Sequence, residues 1–303
     1  MEQAIETAVQ RAIVTMRDHL GEPITVDDMA RAAMFSKFHF TRIFQQATGV
    51  SPGRFLSALR LQRAKHLLVS TSMNVADISL QVGYNSVGTF SSRFSRSVGM
   101  SPTTFRRRAG LATRIATDSE RHQPNPSNAR VCGRIWQDPG QPCGQVFLGL
   151  FPHCIPEGRP VRCAVLPEAG TFRFERVPTG TYYLLAQCVV GDAAVATTQP
   201  DGAHASLSVA THGPHTIRHD SVVRADVMLQ PVRDLDPPVL LALVDARRMA
   251  LARVEAEDGR PEPGTPLRSR PPSRNVPVRP NQPDRPNRAG RTIRRWSLRA
   301  ISR

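Results

Sequence analysis

Four side chains within one short stretch are of the right types to read the edges of base pairs. Phe38, Thr41, Arg42 and Gln45 recur at three- and four-residue steps, so on a helix they form one strip, opposite a strip of Phe40, Ile43, Phe44 and Ala47. An arginine donates two parallel hydrogen bonds to guanine, and a glutamine pairs with adenine. Phe38 or the Thr41 methyl can touch a thymine methyl. Lys37, with His39 and Gln46, flanks the strip, where contact with phosphate is the natural role. Any surface helix has a polar face, so the strip gains meaning only from what surrounds it.

A second strip follows. Val87, Gly88, Ser91, Ser92 and Ser95 face outward where Phe90, Phe94 and Val98 face the core, with Thr89, Arg93 and Arg96 alongside. It is short of long donors. We therefore expect the first helix to supply more base-specific hydrogen bonding and the second to rely on apolar contact, shape and phosphate grip.

The two strips belong to a repeat. Phe40, Phe44, Gly49, Ser51, Pro52 and Phe55 are matched by identical residues at an offset of 50, namely Phe90, Phe94, Gly99, Ser101, Pro102 and Phe105. At an offset of 49, Val26, Asp28, Met29, Phe35 and Ser36 align with Val75, Asp77, Ile78, Tyr84 and Asn85, which puts a one-residue insertion in the second copy's turn or helix start.

Periodicity and punctuation then give the elements that position these strips. An opening helix carries Ile5, Ala8, Val9, Ala12, Ile13, Met16 and Leu20 on one face. A short helix spans about 26–33, and Ser36 caps a helix that Gly49 ends. Ser51 and Pro52 start a connector running to about Ser70. The second copy runs from about Val75 to Val82, turns at Gly83 and Tyr84, and continues from Asn85 to Val98. Gly99 closes it, and Ser101 and Pro102 open a last helix that leads into Arg106, Arg107 and Arg108.

After a linker over 111–129, rich in Pro and Asn, the period changes to two. Thr171 to Val177 alternates apolar with polar, the mark of a half-buried strand, and turn signals separate short strands over 130–232. This block is expected to be an antiparallel β-sandwich. Leu240, Leu241, Leu243, Val244, Met249, Leu251 and Val254 suggest a helix within 233–257. The tail over 258–303 holds 9 Pro and 12 Arg, too little apolar surface to offset ordering, and is expected to be disordered. The fold class is thus multidomain: an all-α unit over 1–110, an all-β unit, and a basic tail.

Charge follows the same division. Residues 1–110 carry 14 Lys+Arg against 7 Asp+Glu, and the tail carries 12 Arg against 3 acids, whereas the block between is neutral within one charge. Positive ends suit a polyanion, because each Lys or Arg beside a phosphate releases a counterion. No apolar run is long enough for a membrane span and no apolar signal core opens the chain, so a cytoplasmic, nucleoid-associated protein without membrane contact is expected. Cys132, Cys143, Cys154, Cys163 and Cys188 include no C-x-x-C pair and are expected to be small apolar residues of a sheet rather than a disulfide framework.

The run from Ala4 to Arg108 resembles the DNA-binding domain of the AraC/XylS family of transcription regulators. The resemblance is carried by MARAAMFSKFHFTRIFQQATGVSP, LRLQRAKHLL and VADISLQVGYNSVGTFSSRFSRSVGMSP. It implies seven helices and two recognition helices entering successive major grooves on one DNA face, as a monomer on an asymmetric half-site. Base contacts are implied at Phe38, Thr41 and Arg42, then at Val87, Gly88, Ser91 and Ser92. Such regulators commonly place an effector domain before the reader; here the reader comes first. The β block resembles a carboxypeptidase regulatory-like, transthyretin-type sandwich through Gly133, Ile135, Pro142, Gly144, Val146 and Leu148. The likeness continues through Gly170, Phe172, Phe174, Val177, Pro178, Gly180, Tyr182 and Leu184. That implies a binding or scaffolding module.

Other constellations point to no chemistry. His204, His212, His215 and His219 are spaced around Gly213 and Pro214, which favours a loop over a metal site, and Ser208 and Asp220 lack a nucleophile elbow. No enzyme, metal or cofactor is expected. The expected function is sequence-specific transcription regulation on double-stranded DNA, with RNA polymerase and an unidentified small-molecule effector as candidate partners. The alternative is a DNA-localised scaffold whose β-sandwich binds a protein or saccharide.

Overall fold

In the first 110 residues several helix boundaries have a local cause. In this computed structural model, which describes residues 2–112, 127–138, 144–189 and 207–242, the order is α1 (Glu2–Asp18), α2 (Val26–Ala32), α3 (Lys37–Thr48), α4 (Pro52–Ser70), α5 (Val75–Gln81), α6 (Val87–Val98) and α7 (Pro102–Arg107). Thr25 and Asp28 form a reciprocal capping box at α2, and the Asn74 side chain accepts from the Asp77 amide at α5. Gly49 and Gly99 close α3 and α6 in the left-handed region, at φ 76° and 90°, where a Cβ would be strained. Ser36 and Ser51 occupy N-cap positions without a side-chain cap bond. Helix α6 starts at Val87 under Ser86, whose hydroxyl accepts from the Thr89 amide, rather than at Asn85. The extra residue of the second copy thus lies in its turn.

The duplication extends to packing. Phe40, Phe44 and Phe55 pack with ring centroids 5.4 Å apart at each step, and Phe90, Phe94 and Phe105 repeat the arrangement at 5.6 and 5.5 Å. The second contact of each trio is edge-to-face, which adds to simple burial. Around α4 the two trios merge into one cluster with Val9, Ile13, Met16, Leu61 and Leu68.

Nine strands follow among the described residues: β1 (Arg130–Trp136), β2 (Gln145–Phe151), β3 (Arg162–Leu166), β4 (Thr171–Phe174), β5 (Gly180–Val189), β6 (Leu207–Ile217), β7 (Val222–Arg224), β8 (Val227–Met228) and β9 (Gln230–Pro231). One sheet has the order β3-β2-β5-β6-β9. The other has β4-β1-β7, with β8 also on β1. Val131, Val146, Leu148, Phe172, Phe174 and Leu184 from both sheets share one buried cluster. Pairing is not antiparallel throughout: β1 runs antiparallel to β4 but parallel to β7 and β8. Such pairs need a long crossover, and here about ninety residues separate the strands. Gly133 lies at this junction, where an added Cβ would stand 2.1 Å from the Ala225 carbonyl oxygen.

β4 alternates exposed and buried as expected, but β2 is buried on both faces from Val146 to Phe151. Its second face joins Phe147, Phe151 and Leu185 to Leu241. The expected helix at 233–257 does not form over its described part. Residues 233–242 make a turn and an extended segment, because Pro237 and Pro238 lack amide donors and hold their predecessors out of the helical region. That segment lies against the helices, with Leu235, Leu240 and Ala242 in the helical core and the Ala242 amide donating to the Val98 carbonyl at 3.1 Å. The linker from 113 to 126, Cys143, His204, residues 243–257 and the Arg/Pro tail lie outside the described residues.

Lys65 of α4 holds this segment from inside. It is 4% exposed, its ammonium donates to the Val239 carbonyl at 3.0 Å, and it sits 5.8 Å from the Phe105 ring centre. Burial pulls its pKa down from 10.5 to about 8. Between these values the unfolded chain binds a proton that the folded chain lacks, so stability is expected to rise with pH by up to about 3 kcal/mol. Urea unfolding across that window should show the rise in the native protein and lose it in Lys65→Met.

Candidate nucleic-acid interface

The first strip stands clear of the core. Phe38 is 89% exposed, an unusual position for a large apolar ring, and Arg42 and Gln45 are exposed, while Phe40, Ile43 and Phe44 beneath them are buried. Lys37 is exposed and pairs with Asp27 at 2.8 Å, a surface contact that a phosphate can replace at little loss. Thr41 is half-buried, and its hydroxyl donates to the Lys37 carbonyl at 2.8 Å.

On α6, Val87, Gly88, Thr89, Ser92 and Arg96 are exposed, and a Cβ added at Gly88 would meet nothing within 4 Å. Backbone and base edges can therefore approach closely there. The Thr89 hydroxyl accepts from Ser86, which ties it to the helix cap. Ser91 is half-buried. So is Arg93, whose Nε is buried without a hydrogen-bond partner and whose charge acts on Glu157. The structure thus groups Phe38, Arg42 and Gln45 on one helix and Gly88, Ser92 and Arg96 on the other, with Arg93 half-buried beside them and close enough to Glu157 for their charges to interact.

Several arginines of this basic region are occupied internally. Arg60 donates to the Leu20 and Glu22 carbonyls at 2.9 and 2.6 Å, and Arg106 to the Leu68 and Met73 carbonyls at 2.9 and 2.5 Å. These bonds clamp turns, so net charge overstates what is available to an anion.

Periodicity gave no sign of the β2–β3 loop. Glu157 accepts from Arg54 Nη2 at 2.6 Å and Nε at 3.1 Å, and from the Ser97 hydroxyl at 2.7 Å, while the Gly158 amide donates to the Ser97 carbonyl at 2.7 Å. Burial alone would raise the Glu157 pKa. The bonds from Arg54 and Ser97, with the charges of Arg54 and Arg93, outweigh it and hold the carboxyl below its ordinary value. An isolated acid in a Pro-Glu-Gly turn carries no pattern, so only proximity in space identifies it. Elsewhere, His212 and His215 form a ring-nitrogen contact of 2.8 Å. Among the described residues no group of His, Cys, Asp or Glu is placed to hold a metal, and no helix is long and apolar enough to cross a membrane.

Residues 29–108 match the family model described as a helix-turn-helix domain. The chain is 41% identical over 86 residues to an uncharacterised HTH-type transcriptional regulator of Haemophilus influenzae, covering 28% of this chain and 29% of that one. It is 30% identical over 99 residues to the right origin-binding protein of Escherichia coli, covering 33% and 34%. The chain thus spans about a third of the length of the curated relatives it matches. Among solved structures, a transcriptional regulator of Chromobacterium violaceum with an AraC-type DNA-binding domain aligns at 30% identity and a TM-score of 0.33, covering 34% of this chain and 92% of that one. Family model and relatives converge on the same stretch that holds the duplicated frame: it is a helix-turn-helix domain.

Proposed function

We propose that the protein is a sequence-specific transcription regulator. Its helices α3 and α6 enter successive major grooves of double-stranded DNA, and its β part serves as a sensor or interaction module of the carboxypeptidase regulatory-like, sandwich type. The observation that carries this reading is the exposed, unburied strip of Phe38, Arg42 and Gln45 over a buried aromatic trio that recurs under α6. In this reading Arg42 reads guanine, Gln45 adenine, and Phe38 with the Thr41 methyl a thymine methyl. Val87, Gly88, Ser91 and Ser92 give close contact in the second groove, while Lys37, Thr89, Arg93 and Arg96 favour the backbone. RNA polymerase and a small-molecule effector are the partners it calls for, in the cytoplasm at the nucleoid.

Genome-wide immunoprecipitation of the tagged protein would supply the operator, and a footprint of roughly two helical turns is expected on it. Arg42→Ala should then lose about 1–3 kcal/mol of binding at one base pair and relax preference there. An equal loss on every sequence would reduce Arg42 to a phosphate contact.

A further inference from the structure

A cleft of about 940 Å³, open to solvent, runs between the carboxy-terminal half of α6, the first turn of α4 and the β2–β3 loop. Arg54, Arg93, Arg96, His153 and Arg159 line it against one carboxylate, Glu157, which Arg54 already pairs. The loop is pinned close to α6. Its Gly158 amide bonds the Ser97 carbonyl at 2.7 Å, and a Cβ added at Gly158 would stand 3.3 Å from the Arg96 carbonyl oxygen. Arg159, the next residue, is thereby carried to the exposed basic flank of the second recognition helix.

The lining carries no large apolar side chain, so a hydrophobic molecule would gain little there. Arg93, which lines the cleft, carries a buried Nε with no hydrogen-bond partner. Guanidinium groups bond phosphate oxygens through short, charge-assisted contacts.

We propose that this cleft receives a backbone phosphate of the DNA entered by α6, so that the β part shares directly in holding DNA. This rests on the DNA-binding reading above. The shortage of long donors on α6 has a counterpart here: Arg96 and Arg159 supply grip where Val87, Gly88, Ser91 and Ser92 supply only close approach. Continuity with the exposed flank of α6 favours a phosphodiester over a free anion. Burial, and then the Arg54 charge, lower the His153 pKa.

The test is the salt dependence of binding by the full chain to a mixed-sequence duplex, followed by fluorescence anisotropy between about 50 and 200 mM salt. Arg159→Gln is expected to lower the slope of log affinity against log salt by about 1 and to weaken binding several-fold on all sequences alike. Arg159→Glu should lower both further. Arg159 is exposed, so thermal unfolding should stay unchanged in these variants. An unchanged slope in Arg159→Gln, with the native protein binding duplex, overturns the proposal. A native protein with no duplex affinity sinks the DNA-binding reading itself. Pyrophosphate bound by the native chain and lost in Arg159→Gln, with the DNA slope unchanged, would assign the cleft to a free anion and overturn it equally.

Discussion

Phe94→Ala is expected to destabilise the helical domain by about 3–5 kcal/mol and to abolish duplex binding near its unfolding midpoint. The ring is wholly buried, lies 5.6 Å from Phe90 and 5.5 Å from Phe105, and meets the latter edge-on. Removing it leaves a cavity that the rigid helices on either side cannot close. Against a typical total stability of about 5–15 kcal/mol, the loss is a large fraction. Chemical unfolding followed by circular dichroism measures it, and Phe94→Leu should recover most of it. Phe44 holds the same place in the first copy, 5.4 Å from both Phe40 and Phe55, so Phe44→Ala should behave alike. A loss below about 1 kcal/mol at either site would mean the trio is not the frame of the domain.

The second large effect concerns the joint between helices and strands. Glu157→Ala should lower stability by about 2–3 kcal/mol, because it leaves the Arg54 guanidinium, itself 26% exposed, without its partner in a partly closed site. Glu157→Gln keeps the shape and one acceptor and should lose less. The Glu157 pKa is lowered on folding, so the contribution is complete above the ordinary value of 4.5 and disappears as pH falls through the folded one. Unfolding midpoints measured on either side of that range should converge between native protein and Glu157→Ala at low pH. Persistent separation there would show that the carboxylate's charge is not what joins the parts.

Much of the helical region was legible from residue order. Capping, helix stops and the aromatic period act over three to five residues, so Thr25 with Asp28, Gly49 and Gly99, and the Phe40-Phe44 pair declare themselves locally. Even the inserted residue of the second copy could be placed, because two offsets bracket it. The strip of Phe38, Arg42 and Gln45 was visible for the same reason: a helix with one buried face exposes the opposite one.

What eluded such reasoning depends on partners far apart in the chain. The parallel pairing of β1 with β7 and β8, the burial of both faces of β2, and the extended path of 233–242 follow from contacts that no local period encodes. Arg93 illustrates the point. On sequence it flanks the expected recognition strip, and only the fold brings Glu157, 64 positions away, near enough for the Arg93 charge to act on it. Residue order by itself determined the helices of residues 2–110, their duplication and the exposed strip of α3, since hydrogen bonding within a helix and burial of one face are near-neighbour effects. The tertiary structure alone decided which basic side chains remain free for an anion and where the β part meets the helices, because electrostatic pairing is set by distance in space.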